Sequence, residues 1–243
     1  MPFPLIRKAD TCNSWDNIYT REISNHAADE QDEGTIWFDE SGAEDAVVKL
    51  LEELEDEGVL QKEDRDGDER ASSFLDLGTG NGHMLFTLRG EEEWMGTMVG
   101  VDYSLPSVEL ARRIAVQRQL EEGIRFEEWD LLASSGSGSE WLPECGFDVV
   151  LDKGTFDAIS LMPKDAATGR HPCETYRRVV PSVVRRGGWV IVTSCNWTKE
   201  ELIGWLSGED EGGLEYVREA RYPTFQFGGK TGQSIVSVAF KRR

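Results

Sequence analysis

The segment Phe74-Leu-Asp-Leu-Gly-Thr-Gly-Asn-Gly82 decides the fold of this chain. Its first four residues, Phe74–Leu77, read as a short apolar strand with an acid near its end, and glycines follow at every second position. Glycines there let the backbone adopt angles that a Cβ forbids and pass close to a ligand. A helix that starts directly after them offers free N–H groups to a polar ligand. A dinucleotide fingerprint, G-x-G-x-x-G, would need glycine where His83 stands, so the spacing indicates a nucleotide-like ligand other than a dinucleotide.

Strand-like and helix-like stretches alternate after this segment. Strand-like stretches at 98–101, 124–128, 147–151 and 189–193 predict four further strands, and helical stretches separate them. Such alternation implies right-handed βαβ crossovers and a mostly parallel sheet. Residues 214–240 differ, because two strand-like stretches are joined by a Gly-rich loop at 227–233, and the second stretch alternates like a half-buried strand. We therefore predict an α/β fold with helices on both faces of the sheet and a C-terminal antiparallel hairpin strand.

Helix signals accompany these strands. Periodic apolar residues predict helices over 44–57, 83–89 and 172–185, the last kinked or shortened by Pro181. Pro106 stands where the first residue of a helix is expected, and Thr198 with Glu201 forms a capping-box pattern that starts another helix. Residues 1–40 lack clean periodicity but are rich in aromatic residues.

Length and composition limit the classes of function. A chain of 243 residues is expected to form one domain, 1–243. No run approaches the ~18 apolar residues of a membrane span, the N-terminus lacks a secretory signal, and scattered cysteines without a C-x-x-C pair indicate neither a metal site nor disulfides. We expect a cytoplasmic protein, which we take to be a monomer, with no metal and no membrane partner.

The charge is strongly negative. The net charge is −20, from 46 acids against 26 bases, which argues against a nucleic-acid partner and suits a basic protein, although plain solubility is an equal explanation. Residues 52–69 hold ten acids and two bases, and we expect an acidic, mobile loop at about 55–72 without a chemical role.

Four predicted strands end in an acid: Asp76, Asp102, Asp130 and Asp152. In open α/β sheets, ligands bind beyond the carboxyl ends of the strands. Asp102 follows Gly78 by 24 residues and is placed to bind ribose hydroxyls, while Asp130 can accept an adenine amino hydrogen. A single strand-end Asp is more often a turn or cap residue. Four such residues in register predict a nucleoside cofactor.

Several motifs resemble one family. Asp-x-Gly-x-Gly-x-Gly at 76–82 resembles motif I of class I S-adenosylmethionine-dependent methyltransferases. Asp-Lys-Gly-Thr-Phe-Asp at 152–157 resembles a branch of eukaryotic protein-lysine methyltransferases that act on translation elongation factor 1-alpha, and the [Asp/Asn]-Pro-Pro-aromatic string of base-modifying enzymes is missing. Further elements are similar to the elongation factor methyltransferase 4 type: Ser14–Tyr19 (Ser for the usual first Tyr), Gly34–Phe38, Ser194–Thr198 and Phe225–Lys230. The likeness runs from about residue 12 to the C-terminus, except at the acidic loop, Glu91–Met95 and the Ser/Gly loop 134–139.

This resemblance implies a Rossmann-like seven-stranded fold, S-adenosyl-L-methionine as cofactor, and lysine methylation of elongation factor 1-alpha. It implies that residues 1–40 cover the cofactor, with Trp15, Tyr19 and Trp37 closing over its methionine end. Phe156 and Asp157 would shape the lysine channel. The proton of the target amine would pass to a nearby Asp, for which Asp152 and Asp157 are the candidates, or to water. The expected cofactor-binding residues are Trp15, Tyr19, Trp37, Asp76, Gly78, Thr79, Gly80, Asn81, Gly82, Asp102, Tyr103, Ser104, Trp129, Asp130, Leu131, Asp152, Lys153 and Gly154.

Other interpretations stay open at this point. The same fold serves small-molecule methyltransferases and aminopropyl transferases, and a non-catalytic cofactor-binding subunit is a further alternative. Trp15 and Trp37 could simply staple the sheet edge, and Lys153 could be an exposed strand-end lysine.

Overall fold

The computed structural model describes residues 11–64, 70–133, 136–208, 213–222, 225–227, 230–232 and 234–243. The helices are α1 (Thr11–Ala28), α2 (Ala43–Asp56), α3 (His83–Gly90), α4 (Leu105–Gln117), α5 (Thr155–Ser160), α6 (Pro172–Val183) and α7 (Lys199–Leu206), with a short 3-10 turn at Asp39–Ser41. The strands are β1 (Phe74–Leu77), β2 (Met98–Asp102), β3 (Ile124–Glu128), β4 (Phe147–Lys153), β5 (Val184–Ser194), β6 (Leu214–Glu219), β7 (Phe225–Phe227), β8 (Lys230–Gly232) and β9 (Val236–Arg242).

Seven strands form one sheet in the order β3-β2-β1-β4-β5-β9-β6. The first five run parallel, and β9 lies antiparallel between β5 and β6. The predicted Rossmann-like α/β fold with antiparallel C-terminal strands is therefore confirmed. The chain reverses its direction across the sheet between β1 and β4, and Leu77 pairs with Val101 of β2 on one side and Asp152 of β4 on the other.

Most predicted elements lie where the sequence placed them, and the capping box of Thr198 with Glu201 is present. β5 begins five residues earlier than predicted, because its register against β4 shifts around the Gly187-Gly188 pair. At the C-terminus, the antiparallel partners are β6 and β9, and β7 with β8 forms a separate two-stranded ladder between them in the chain. Loop residues 228, 229 and 233 of the predicted hairpin lie outside the described residues.

Periodicity gave no signal for two helices and one wrong expectation for a strand. The N-terminal region contains an 18-residue helix, α1. Its buried residues include the polar Glu22 and His26, so the sequence of α1 shows no apolar repeat. The six-residue helix α5 is too short to show a repeat. β9 is buried on both faces rather than one, since five successive residues, Val236–Phe240, are all buried and Ser237 among them completely.

The acidic segment is anchored on both sides. α2 extends to Asp56, Leu60 is fully buried, and the Ser72 N–H donates to the Gln61 carbonyl at 2.8 Å. Residues 65–69 lie outside the described part of the chain, as do residues 134 and 135 of the predicted Ser/Gly loop.

Two apolar clusters sandwich the sheet. One lies under α2, α3 and α4, with Leu51, Phe86 and Ile114 at its centre, and the other lies under α5, α6 and α7. Burial of each such side chain contributes roughly 1.5–3 kcal/mol, so both helix layers are held firmly against the strands. Across the described residues, no helix is both long enough and apolar enough to span a bilayer.

Candidate functional site

A cavity of about 240 Å³ lies beyond the carboxyl ends of β1, β2, β3 and β4. This is the point at which the strand order reverses, where α/β sheets bind their ligands because the loops diverge to opposite faces. The cavity is lined by Trp15, Tyr19, Trp37, Phe38, Gly78, Val101, Asp102, Tyr103, Trp129, Asp130, Leu131, Leu132, Lys153, Gly154, Thr155, Ala158, Ile159, Leu161 and Met162.

One wall of the cavity is aromatic and comes from the N-terminal segment. We call Trp15, Tyr19, Trp37 and Phe38 the aromatic roof. The rings of Trp15 and Tyr19 stack with centroids 6.1 Å apart, and Trp15 meets Trp37 edge-on at 5.0 Å. The roof reaches the opposite wall, because the Tyr19 hydroxyl lies 2.8 Å from where a Cβ on Gly80 would stand.

The glycine turn (residues 78–82) gives the cavity a backbone floor. Gly78 has φ of +65°, and a Cβ there would lie 2.0 Å from the Thr155 Oγ1 atom. That hydroxyl donates to the Leu77 carbonyl at 2.7 Å, so the ends of β1 and β4 are tied together directly beneath the cavity. A side chain at position 78 would therefore collide with Thr155, which lines the same cavity.

Asp102 presents a buried carboxylate to the cavity. Its oxygens accept from the Gly80 N–H at 3.1 Å, the Ser104 N–H at 3.0 Å and the Ser107 hydroxyl at 3.0 Å. Burial raises the pKa of Asp102, and these hydrogen bonds act in the opposite direction. A carboxylate has about four acceptor sites, so the described part of the chain leaves one of them for a ligand hydroxyl.

The end of β3 provides the third side of the cavity. Asp130 is exposed, and its Oδ1 atom accepts from the Leu132 N–H at 2.8 Å. The buried Trp129 ring packs on Trp141 with centroids 5.2 Å apart. The Trp141 contact holds Trp129 beside Leu131, and together they form a flat apolar surface suited to a planar ring.

Lys153 joins the end of β4 to the aromatic roof. Its Nζ atom donates to the Trp37 carbonyl at 2.9 Å and lies 3.4 Å from Glu44 Oε1. The other Glu44 oxygen lies 2.6 Å from His83 Nδ1, at the first residue of α3. Burial would raise the pKa of Glu44, but His83 and Lys153 bring it below its ordinary value. Lys153 is thus largely buried and bonded within the chain.

Comparison with known proteins identifies the family. A methyltransferase domain model matches residues 68–229. The chain is 36% identical over 236 residues to the protein-lysine N-methyltransferase EFM4 of Saccharomyces cerevisiae, covering 97% of this chain and 95% of that protein. It is 36% identical over 235 residues to EEF1A lysine methyltransferase 2 of Danio rerio, covering 97% and 88%. The chain belongs to the methyltransferase family.

A solved structure agrees on the fold alone. TrmN from Thermus thermophilus superposes with a TM-score of 0.51 at 15% identity, covering 81% of this chain and 48% of that one. The cofactor of this methyltransferase is S-adenosyl-L-methionine, and the residues present fit it. Gly78 gives the cavity a floor of bare backbone, the remaining acceptor site of Asp102 suits a ribose hydroxyl, and the surface at Trp129 suits adenine.

The structure gathers eleven of the expected cofactor-binding residues around the cavity of this methyltransferase. They are Trp15, Tyr19, Trp37, Gly78, Asp102, Tyr103, Trp129, Asp130, Leu131, Lys153 and Gly154. The other seven, Asp76, Thr79, Gly80, Asn81, Gly82, Ser104 and Asp152, lie outside the lining. For the lining residues and for these seven alike, contact with the cofactor stays a prediction.

Two of these seven have partners that indicate a supporting position. The Asn81 side-chain amide donates to the Glu33 carbonyl at 3.0 Å, so it fastens the N-terminal segment to the glycine turn. Asp76 is 3% exposed at the end of β1, and burial outweighs the lowering effect of the Lys153 charge, so that the pKa of Asp76 is raised to about 7. Both side chains lie one layer behind the cavity surface.

The three expected catalytic residues also lie beneath the cavity rather than in its lining. Asp152 accepts hydrogen bonds from the backbone of α5 and from the Tyr176 hydroxyl. Asp157 accepts from the Ser194 hydroxyl and the Cys195 N–H, and Phe156 packs on the Tyr176 ring at 4.9 Å. All three side chains are buried, and direct contact with the reacting atoms remains a prediction for each of them.

Sequence reasoning missed eight lining residues: Phe38, Val101, Leu132, Thr155, Ala158, Ile159, Leu161 and Met162. Four of them, at 155, 158, 159 and 162, follow helical spacing on α5 and the turn after it, a signal that was available once α5 was recognised. Phe38 belongs to the same Gly-x-x-Trp-Phe element as Trp37. Among the described residues, no three His, Cys, Asp or Glu side chains are grouped to hold a metal ion.

Proposed function

We propose that this methyltransferase transfers a methyl group from S-adenosyl-L-methionine to the side-chain amine of a lysine in translation elongation factor 1-alpha. One observation above all supports the substrate: the identity to EFM4 and to EEF1A lysine methyltransferase 2 extends over nearly the whole length of both chains in each pair. The alignment with these relatives therefore extends over the segment that carries the aromatic roof, which lies outside residues 68–229 of the general domain model.

The chain contributes position rather than reactive groups. When bound, the cofactor supplies a methyl group on a positively charged sulfur. The free acceptor site of Asp102 orients the ribose, Trp129 and Leu131 hold the adenine, and the glycine turn receives the rest of the molecule against the backbone. The aromatic roof excludes water from the methionine end. Alignment of this kind can lower a barrier by several kcal/mol without any covalent step on the protein.

The target lysine must arrive as a neutral amine. Its ordinary pKa is ~10.4, and an apolar channel disfavours the ammonium form because charge is poorly solvated there. Leu161 and Met162, with the aromatic roof opposite, provide such walls. Aromatic faces also stabilise the cationic methylated product.

Of the proton acceptors expected from the sequence, the structure favours water over Asp152 and Asp157. Asp152 and Asp157 are buried and already accept hydrogen bonds within the chain, which supports an anchoring role for both. We therefore infer that the proton leaves to water rather than to either carboxylate.

The finer statements about partner and location belong to the same proposal. The net charge of −20 supports a basic protein substrate and disfavours nucleic acid, because phosphate backbones require Lys and Arg patches. We propose a monomer that acts in the cytoplasm, away from membranes. Sedimentation at working concentration would test the monomer directly.

The substrate proposal is tested with purified elongation factor 1-alpha and tritiated cofactor. We expect label in one or more lysines of that protein, located by mass spectrometry of its peptides. Asp102→Asn is the matched control, because it keeps the size of the side chain and removes the charge that favours the ribose hydroxyls; its labelling should fall by about 10-fold or more. Label in a small-molecule fraction of a cell lysate, with none in elongation factor 1-alpha, would overturn the substrate assignment and leave the family unchanged.

A further inference from the structure

We propose that Tyr176, which lies on α6 outside the cavity, is a positioning residue that holds the cofactor floor through the carboxylate of Asp152. The proposal deepens the proposed function, since it assigns a residue to the same site. No motif in the sequence indicates Tyr176, and the connection appears only when the hydrogen bonds are followed from α6 to the cavity.

The first link joins α6 to the end of β4. The Tyr176 hydroxyl donates to Asp152 Oδ2 at 2.6 Å. Both side chains are buried, Tyr176 completely, and its ring packs on Phe156 with centroids 4.9 Å apart. Ring packing fixes the direction of the hydroxyl, so the hydrogen bond holds the carboxylate in one orientation.

The second link joins that carboxylate to the start of α5. Asp152 Oδ1 accepts from the Thr155 N–H at 2.9 Å, and Oδ2 accepts from the Phe156 N–H at 3.0 Å. These are N–H groups of the first helical turn, which have no partner within a helix. The ionised carboxylate therefore caps α5 and fixes where Thr155 stands.

The third link reaches the ligand surface. Thr155 lines the cavity, and its hydroxyl donates to the Leu77 carbonyl at 2.7 Å, immediately before Gly78. A displacement of α5 would move this hydroxyl and open the contact between the ends of β1 and β4. These hydrogen bonds connect Tyr176 through Asp152 to Thr155 and so set the shape of the floor. Of the three residues, only Thr155 lines the cavity.

The electrostatics give the proposal a readout that a purely structural residue would not move. Burial and the nearby Asp157 raise the pKa of Asp152, the hydrogen bonds from Tyr176 on α6 and from α5 lower it, and the net result is a pKa of about 7. Loss of the Tyr176 hydroxyl removes a hydrogen bond that lowers the pKa of Asp152, so the pKa of Asp152 should rise. Asp152 would then be protonated at neutral pH and would cap α5 less well.

Tyr176→Phe tests this inference, since it keeps the ring and deletes the hydroxyl. We expect the affinity for S-adenosyl-L-methionine, measured by calorimetric titration from pH 6 to pH 9, to fall by about 10-fold at pH 7. The acid limb of the affinity profile should move to higher pH, with partial recovery at pH 9. Tyr222→Phe is the matched control, because its hydroxyl also makes a 2.6 Å bond, to Ser237, away from the cavity. It should bind the cofactor as the unaltered chain does.

Two results would overturn the proposal: unchanged affinity in Tyr176→Phe, or an equal loss at every pH in both tyrosine variants. If Tyr176→Phe does not fold, Asp152→Asn provides the second test. It removes the Asp152 carboxyl, so the acid limb of its affinity profile should shrink to the part contributed by other groups such as Asp76, whose pKa is also raised to about 7, and a limb of unchanged size would contradict the assignment. Both tests measure cofactor binding alone, so a failure to methylate elongation factor 1-alpha would not affect their outcome.

Discussion

Gly78→Ala is the substitution whose cost the structure defines best. The residue has φ of +65°, and an added Cβ would lie 2.0 Å from Thr155 Oγ1 and 3.2 Å from its Cβ. A left-handed conformation costs a residue other than glycine roughly 1–2 kcal/mol. The Thr155 hydroxyl must also leave the Leu77 carbonyl, a loss of about 1 kcal/mol. Together these effects amount to roughly 2–3 kcal/mol, or about 30- to 150-fold in an equilibrium constant.

This penalty should appear mainly in cofactor affinity. The variant can relieve the clash by opening the turn, and the cofactor must close it again, so the dissociation constant should rise by about 30-fold or more in a calorimetric titration. Gly58→Ala is the control, because φ there is +70° and nothing lies within 4 Å of its added Cβ. It should cost about 1 kcal/mol of stability through the backbone alone and leave affinity unchanged.

A double-mutant cycle separates the clash from the backbone strain. Thr155→Ala removes the atom that the new Cβ would meet, so Gly78→Ala should cost less in its presence than alone, by about 1 kcal/mol. The reasoning is refuted if Gly78→Ala binds the cofactor normally, or if the two substitutions add without any coupling.

Two further predictions follow from the charged residues around the floor. Lys153→Met breaks the bond to the Trp37 carbonyl and the ion pair with Glu44, so cofactor affinity should fall by about 5- to 10-fold in a fluorescence titration, and an unchanged value would show that Lys153 does not hold the roof. The pKa of Asp76 is raised to about 7, so the folded chain keeps a proton that the unfolded chain loses near pH 4, and this contribution to stability is lost as pH rises to about 7. In urea denaturation, the free energy of unfolding of Asp76→Asn relative to that of the unaltered chain should therefore increase by about 1.4 kcal/mol per pH unit between pH 5 and pH 7. The same difference in unfolding free energy at both pH values would contradict the raised pKa.

The parts of the fold that the sequence predicted are those with local signals. β1 and β3 have the predicted bounds, because β1 is a short apolar run before the glycine turn and β3 alternates apolar with charged residues at its start. The strand ends Asp102 and Asp130 could be assigned to one cavity, because parallel strands bring their carboxyl ends to the same edge. None of these inferences required a contact between distant parts of the chain.

The missed parts depend on tertiary packing. α1 turns polar side chains inward: the buried Glu22 accepts from the Thr35 N–H, and His26 is bonded to the Asp32 carbonyl, so the helix is stabilised by the segment that follows it. An apolar repeat cannot reveal such a helix. Leu161 and Met162 line the cavity only because α5 directs the chain back across it, which neither residue's neighbours in sequence can show.

The four strand-end aspartates show why a motif names residues more reliably than roles. Asp102 and Asp130 face the cavity, whereas Asp76 and Asp152 end the two central strands and lie beneath it. The central strands are covered on both faces, so water does not reach their ends, and the pKa of each buried carboxyl is raised to about 7. Such a group is stable as a carboxylate only where the chain supplies donors, as α5 and Tyr176 do for Asp152. All four aspartates lie at strand ends. Whether one of them can meet a ligand depends on whether its carboxylate faces the cavity or is turned toward hydrogen-bond donors within the chain.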